Sequence, residues 1–304
     1  EPGLLTELID RMLSGASVHQ AEVTGGGVSA LTASHTIANS KGLYYETEAT
    51  SISLSLEMIA GRSTGYEHES SWQLKTVRPE WIGEQAAFFA AKGQNGEEIK
   101  TGAYDIVLSP SALASLLDAT VIPAFSGRNV HTGRSCFATK MGEQVMGTQV
   151  SLIDDPLDSR GIANNYWDGE GMPVKKTAFV KDGILSSFAY DLKTAYRYGA
   201  EPTGHAVRSG MGGAPSIGHR NLILTATEMD VMADDAIYVR DLIGAHTANP
   251  MSGDFSVELS SPFFISGGEL NTPIRTAMLS GNVFDLLGSV QGCSSSTRTM
   301  GSLI

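Results

Sequence analysis

A histidine and a glutamate side by side can bind zinc and activate water, and the chain contains one such pair, His68-Glu69. A zinc-binding helix of this type needs a second histidine one turn later, because both imidazoles must lie on the same face. Trp72 and Gln73 occupy the positions where that histidine would stand. The sequence therefore predicts that His68-Glu69 is a solvated strand end or loop and not a metal site.

Glycine-rich and cysteine-containing segments give no catalytic motif. Residues 210–213 read GMGG but lack the Gly-Lys-Ser/Thr ending of a phosphate-binding loop, and a nucleophile elbow of the form G-x-S-x-G is absent. Cys136 and Cys293 do not belong to a CxxC pair. Two such cysteines in 304 residues favour a reducing, cytoplasmic compartment and structural thiols.

The elements that would position a site are mainly strands. Ile52, Leu54, Leu56 and Met58 alternate with polar residues, which predicts a half-buried strand. Asp182-Gly183 predicts a tight hairpin, and Gly267-Gly268 predicts a second one. Further strands are predicted at 28–37, 104–108, 149–153, 221–225, 237–239, 255–259, 262–265 and 269–278, and helices at 4–13, from 79, from 109, at 192–198 and at 282–290. The pattern favours an α+β fold with a mixed, largely antiparallel curved sheet and peripheral helices.

Composition excludes two classes of partner. The formal net charge is −12, with 33 acidic against 21 basic residues. Nucleic-acid binding needs a basic face that neutralises phosphates, so we expect no nucleic-acid partner. The apolar segments at 4–13 and 112–125 are short and interrupted by charged residues or proline, so we expect no membrane partner.

Residues 244–287 read GAHTANPMSGDFSVELSSPFFISGGELNTPIRTAMLSGNVFDLL. This run resembles the C-terminal signature of the TldD/PmbA family, which comprises intracellular zinc peptidases and their partner subunits. The resemblance extends over nearly the whole chain. It implies that residues 1–100 hold the end of an N-terminal region with linking strands and a helix, and that residues 101–304 form the C-terminal domain. It also leads us to expect that an N-terminal domain and a short tail of the relatives are missing here.

The zinc-bearing relatives carry a His-Glu-x-x-x-His motif on a helix, in a segment that resembles VLSPSALASLLDATVIPAFSG at residues 107–127. Aligned without gaps, Asp118 and Ala119 stand at the first His and the Glu, and Pro123 stands at the second His. Alanine cannot act as a base and proline cannot bind a metal. Cys293 lies in QGCSSS, which does not reproduce the cysteine context of the zinc branch. The chain therefore resembles the metal-free branch, called TldE or PmbA, with zinc expected in a partner.

Two loops resemble family segments that border the substrate channel. They read PTGHAVRSGMGG and IGAHTANPMSG, and glycines there let a peptide backbone approach closely. We expect the loops 205–213 and 246–254 to face one shared cleft. The candidate residues for contact with a peptide are His205, Arg208, His246, Asn249 and Asp254. The alternative for the histidines is a satisfied surface or core position.

Three functions remain open at this stage. The resemblance favours a non-catalytic subunit of a TldD/TldE-type metalloprotease, which trims unfolded peptides together with a TldD-like zinc subunit. A second hypothesis is that the chain is a self-sufficient hydrolase of the same family and acts as a homodimer. A third is a scaffold or peptide-binding module without a protease partner. The chain is expected to be inactive alone.

Overall fold

Helices and strands alternate irregularly along the chain in a computed structural model that describes residues 2–210, 212–233 and 235–304. Most strand pairs are antiparallel, so the α+β class and the largely antiparallel pairing predicted above are confirmed. Among the described helices, none is long and apolar enough to cross a membrane. The helices are α1 (Pro2–Ala16), α2 (Pro79–Lys92), α3 (Pro110–Ala119), α4 (Val121–Ala124), α5 (Gly127–His131), α6 (Leu192–Tyr198) and α7 (Val283–Gly288), with 3₁₀ turns at Leu74–Thr76 and Ala245–Thr247.

The strands are distributed over several sheets and are not collected in one. One sheet has the order β1-β2-β3, a second β10-β5-β6-β7, a third β13-β12-β11-β4 with β14 also on β12, and β8 pairs with β9. The strands are β1 (Glu22–Ala38), β2 (Tyr44–Ala60), β3 (Ser63–Ser71), β4 (Ile106–Leu108), β5 (Ser151–Asp154), β6 (Thr177–Lys181), β7 (Ile184–Leu185), β8 (Ala206–Val207), β9 (Ser216–Ile217), β10 (Leu222–Thr225), β11 (Ala236–Ile243), β12 (Asp254–Ser266), β13 (Glu269–Pro273) and β14 (Met278–Asn282).

The first core lies between the β1-β2-β3 sheet and helices α1 and α2. The predicted alternation in β2 is confirmed, because its even-numbered residues from Ile52 to Met58 are buried against the two helices. The helices approach so closely that a Cβ at Gly83 would overlap the carbonyl oxygen of Met12. Glycine is therefore required at this crossing, because any side chain would push the helices apart.

The second core is built on the sheet that contains β11 and β12. The two predicted runs 255–259 and 262–265 form one continuous strand, β12, because its partner β11 pairs on both sides of Ser261. The predicted run 269–278 is a strand only as far as residue 273, in β13, and β14 begins at its last residue, Met278. Pro273 ends β13, since proline has no N–H with which to extend the ladder.

The Asp182-Gly183 hairpin is confirmed, but its second strand is shorter than predicted. Asp182 and Gly183 have φ of 50° and 80°, which matches the type I′ turn. β7 ends at Leu185, whereas the sequence favoured an extended run to Tyr190. The reason is that the N–H of Ala189 donates to Phe125 and its carbonyl accepts from Gly127, so this segment bonds to the α4–α5 region.

The turn between β12 and β13 gives a testable prediction. Gly267 and Gly268 have φ of 63° and 84°, which confirms the predicted left-handed turn, and neither has atoms near an added Cβ. Replacing Gly268 with valine should therefore lower the free energy of unfolding by about 1–3 kcal/mol through backbone strain alone. Gly27→Val is the matched control, because Gly27 also has open space but lies in a strand without a positive φ. If the two variants unfolded at the same urea concentration, the prediction that valine is strained at position 268 would be wrong.

Candidate functional site

Helix α3 carries the first two positions that the alignment above assigns to a degenerate zinc motif. Ser109 caps the helix by accepting a hydrogen bond from the N–H of Ala112, and Pro110 follows at its first turn. Asp118 and Ala119 are the last two residues of α3. The helix breaks at Thr120, where φ is −125°, because the ring of Pro123 clashes with the carbonyl four residues earlier. The motif positions are thus divided between α3 and α4.

The residues at these positions do not fit a zinc ion. Asp118 supplies one carboxylate, while Ala119 and Pro123 have no side-chain ligand atom. The carbonyl oxygen of Pro123 is already bonded to the side-chain amide of Asn129 at 2.8 Å. Across residues 2–210, 212–233 and 235–304, no group of three His, Cys, Asp or Glu is placed to hold a metal. Protein zinc sites use three or four such ligands, so the donor set is insufficient.

A cluster of ionisable side chains lies near Asp118, and we call Asp118, Asp154, His205 and His219 the polar cluster. The Nε2 atom of His205 lies 3.3 Å from a carboxylate oxygen of Asp154, and its Nδ1 lies 2.8 Å from the hydroxyl of Thr203. His219 contacts the Ser302 hydroxyl through Nε2 at 2.8 Å. The cluster is therefore built from a helix, a strand and two loops that are far apart in the sequence.

Electrostatics differ from one member of the polar cluster to the next. Burial pushes the pKa of Asp154 upward, but hydrogen bonds from His205 and from the N–H groups of Asn221 and Arg220 outweigh burial, so the pKa is lowered. Burial lowers the pKa of His219, which favours the neutral imidazole. Partial desolvation raises the pKa of Asp118 although the residue retains solvent contact, and His219 opposes this rise only when its imidazole is protonated.

His205, the first predicted contact residue, is a buried member of this cluster with 3% of its surface exposed. Its imidazole is held between Asp154 and Thr203, which is the satisfied core position left open above. Arg208 is exposed and donates to the carbonyl oxygens of Gly169 and Gly213. Arg208 therefore closes its own glycine loop, in which Met211 lies outside the described residues.

The second predicted loop contains exposed side chains. His246 lies in the 3₁₀ turn that follows β11, and Asn249 accepts hydrogen bonds from the N–H groups of Met251 and Ser252. Asp254 accepts from the side-chain amide of Asn282. In the part of the chain that the structure describes, no hydrogen bond, ion pair or ring contact joins this loop to the loop 205–213. The shared cleft stays a prediction.

His68 occupies a strand and not a loop. It lies in β3, half buried, with its ring stacked against Tyr66 at 5.4 Å. Burial lowers the pKa of His68. Glu69, the other member of the His68-Glu69 pair, forms an ion pair with Arg78 at 2.6 Å. Cys293 is also partly buried, with its sulfur 3.5 Å from the carbonyl oxygen of Ala226.

A basic pocket of about 250 Å³ lies between α5, α6 and residues 215–217. The first residue of its lining, Ser126, comes three residues after Pro123 in the sequence. The pocket wall includes β9, whose partner β8 begins at Ala206 next to His205, so the pocket adjoins the polar cluster. Among the residues lining it are Arg128, Lys193 and Arg197. Sequence reasoning missed Asp154, His219 and this pocket, because their residues show no spacing that predicts contact.

Comparison with known proteins covers most of the chain. Residues 3–93 match the model of the PmbA/TldA metallopeptidase central domain, and residues 101–304 match that of the C-terminal domain. The chain is 35% identical to an uncharacterized protein of Methanocaldococcus jannaschii, over 94% of this chain and 68% of that protein. It is 27% identical to a protein of Methanothermobacter thermautotrophicus named metalloprotease, over 96% of this chain and 66% of that one. The chain therefore spans about two thirds of the length of these relatives.

A solved structure has the same fold. The crystal structure of TldE from Thermococcus kodakarensis superposes with a TM-score of 0.92 at 25% sequence identity. The match covers 100% of this chain and 72% of that one. The fold of this chain is therefore one that a crystal structure also contains over the full length of the match.

Proposed function

Since the chain belongs to the PmbA/TldD metallopeptidase family, we propose that it is a subunit without zinc of its own, which acts on extended peptides together with a zinc-bearing relative. The observation that carries this proposal is the donor set at the motif positions, where Ala119 and Pro123 offer no ligand atom. Hydrolysis at a metal centre needs an ion that polarises the carbonyl or activates water. The partner supplies that ion when bound.

We propose that this chain contributes one side of the cleft in which the peptide binds. We propose that residues 1–100 and 101–304 form two domains, each built around one of the two cores. Arg208, His246 and Asn249 lie outside the strands, Asp254 is the first residue of β12, and all four remain the proposed peptide contacts. His205 acts indirectly in this proposal, because its buried imidazole fixes the loop that carries Arg208.

The metal content gives the first test. After dialysis, we expect the purified protein to hold far less than one zinc per chain and to leave an unfolded peptide uncleaved. Adding a zinc-bearing relative should produce a complex that cleaves the peptide, and a chelator should stop it. Elemental analysis, size-exclusion chromatography and mass spectrometry of the peptide provide the measurements.

A matched control assigns the catalysis to one subunit. The partner is replaced by a variant in which the first histidine of its zinc motif is alanine. We expect this complex to assemble and to cleave nothing. Cleavage that persists with the altered partner, or that the chain performs alone, would show that this chain is a self-sufficient hydrolase. Failure to assemble with any zinc-bearing relative would instead indicate a scaffold without a protease partner.

A further inference from the structure

Three cationic side chains meet at the basic pocket. Arg128 comes from α5, while Lys193 and Arg197 come from α6, one turn apart on the same helix. All three residues are exposed. Within the described residues, none of their charged groups makes an ion pair or a side-chain hydrogen bond. Other exposed arginines are of both kinds: those of α1, the 158–160 turn and the β13–β14 connection pair with carboxylates, whereas Arg62 and Arg134 stand singly without an ion pair in the described residues.

The single carboxylate at the pocket does not neutralise these charges. Asp191 is 6% exposed, and its side chain accepts the hydrogen bond from the N–H of Thr194 that caps α6. The Asp191 carboxylate therefore caps α6 and forms no ion pair with the three cations. Like charges in a shared pocket repel each other, and an anion that enters relieves this repulsion. The concentration of unpaired positive charge is notable because the chain as a whole carries a net charge of −12.

The rest of the lining has the chemistry of a residue-sized site. Pro215 and Ile217 give an apolar side, and Ser126 and Ser216 add hydroxyl groups. Tyr198 forms another wall, where its ring stacks on His131 at 4.3 Å. The volume of about 250 Å³ falls just below the roughly 300–1,000 Å³ of sites for drug-sized ligands. A chain terminus, with one carboxylate and one side chain, matches this combination.

We propose that the basic pocket binds the free C-terminal carboxylate of a peptide, with Arg128, Lys193 and Arg197 as its cationic contacts. The inference rests on the proposed role in peptide handling, because it specifies which part of the peptide this subunit holds. Guanidinium and ammonium groups bind carboxylates through charge-assisted hydrogen bonds. A long polyanion is disfavoured, because the net charge of −12 on the chain repels it.

Peptide binding to the purified protein tests the proposal without the partner or zinc. A fluorescent unfolded peptide with a free C-terminus is compared, by anisotropy, with the same peptide amidated at that end. We expect amidation to weaken binding by about tenfold or more, as the loss of one charge-assisted interaction predicts. The difference should shrink as salt is added, since exposed charges are screened.

Paired variants locate the effect. Lys193→Gln with Arg197→Gln should remove the preference for the free carboxylate. The control is Lys181→Gln with Arg62→Gln, which changes the net charge equally at exposed cations outside the pocket. Thermal melting of each variant confirms folding, which we expect to persist because all four side chains are exposed.

Several outcomes would overturn the proposal. Equal affinity for the acid and the amide would do so, as would equal weakening in the pocket and control variants. An amidated peptide that ends in Glu tests a side-chain carboxylate as the source, and affinity equal to that of the free terminus would overturn the assignment to the chain end. Stronger competition by inorganic phosphate than by acetate would point to a phosphate site. None of these outcomes affects assembly with a zinc subunit, so the two proposals fail separately.

Discussion

Replacing Glu67 with glutamine is expected to lower the free energy of unfolding by about 3–5 kcal/mol. Glu67 is 1% exposed and accepts hydrogen bonds from Arg240 at 2.6 Å and from Arg298 at 2.8 Å. Arg240 is itself 5% exposed. Glutamine keeps the shape of the side chain but removes the charge, so two guanidinium groups, of which Arg240 is buried, would lose their counter-charge.

A control and a location test accompany this substitution. Glu98 pairs with Arg275 on the surface at 3.4 Å, so Glu98→Gln should change the free energy by at most about 1 kcal/mol. Urea unfolding gives both values. If Glu67→Gln cost no more than Glu98→Gln, the buried ion pairs would contribute little to holding β3 against the second core.

The location of these ion pairs explains why the effect should extend beyond one residue. Glu67 belongs to β3 of the first sheet, whereas Arg240 belongs to β11 and Arg298 to the C-terminal segment. Arg240 also lies over the ring of Phe89 at 5.3 Å, and Arg298 lies over that of Trp81 at 4.7 Å. The ion pairs of Glu67 and the aromatic rings of α2 therefore join the two cores. We call this region the junction.

Local features of the fold were predictable from sequence because they depend on neighbouring residues. The alternation of Ile52 and Leu54 with serines requires one buried face, and Asp182-Gly183 requires a type I′ turn. Both predictions are confirmed. The junction was not predictable, because Glu67 and Arg240 are separated by more than a hundred residues and each belongs to an ordinary strand. Nothing in the local pattern distinguishes the fully buried Glu67 from the partly buried Glu69, which pairs with an exposed arginine.

In the candidate site, too, local features were predictable from sequence and long-range contacts were not. The lack of zinc ligands at Ala119 and Pro123 was inferred by alignment to a family motif, without knowledge of the fold. The contact between His205 and Asp154 was missed, because it depends on how β5 and β8 are placed. The basic pocket was missed for the same reason, since Arg128 and Arg197 come from different helices. Residue types predict chemistry, while their convergence is a property of the tertiary structure.

Two residues of types that can bind metals lie close together at the end of α3. Asp118 is a carboxylate at an aligned motif position, and its charge acts on His219. Pro123 breaks the helix between α3 and α4, and that break separates positions that a continuous helix would align on one face. Pro123 therefore affects both the set of possible ligand atoms and the continuity of the helix.

Replacing Phe263 with alanine should lower the free energy of unfolding by about 3–5 kcal/mol and loosen both cores together. Phe263, in β12, is fully buried, and its ring centroid lies 5.9 Å from that of Phe89 in α2. Phe89 also stacks on Tyr238 at 6.2 Å. Truncation leaves a cavity between the two cores, because the surrounding backbone strands relax only in part.

Hydrogen exchange followed by mass spectrometry distinguishes a coupled from a local effect. If the junction couples the cores, amides of α2 in the first core and of β11 in the second should lose protection by similar free energies in Phe263→Ala. Tyr196→Ala is the control, because Tyr196 is 93% exposed and its removal should change stability by less than about 0.5 kcal/mol. Loss of protection in β11 and β12 alone would show that the first core is stable without the aromatic contact. Coupled loss would mean that a ligand held at one core can alter the rigidity of the other, because one packed junction determines both.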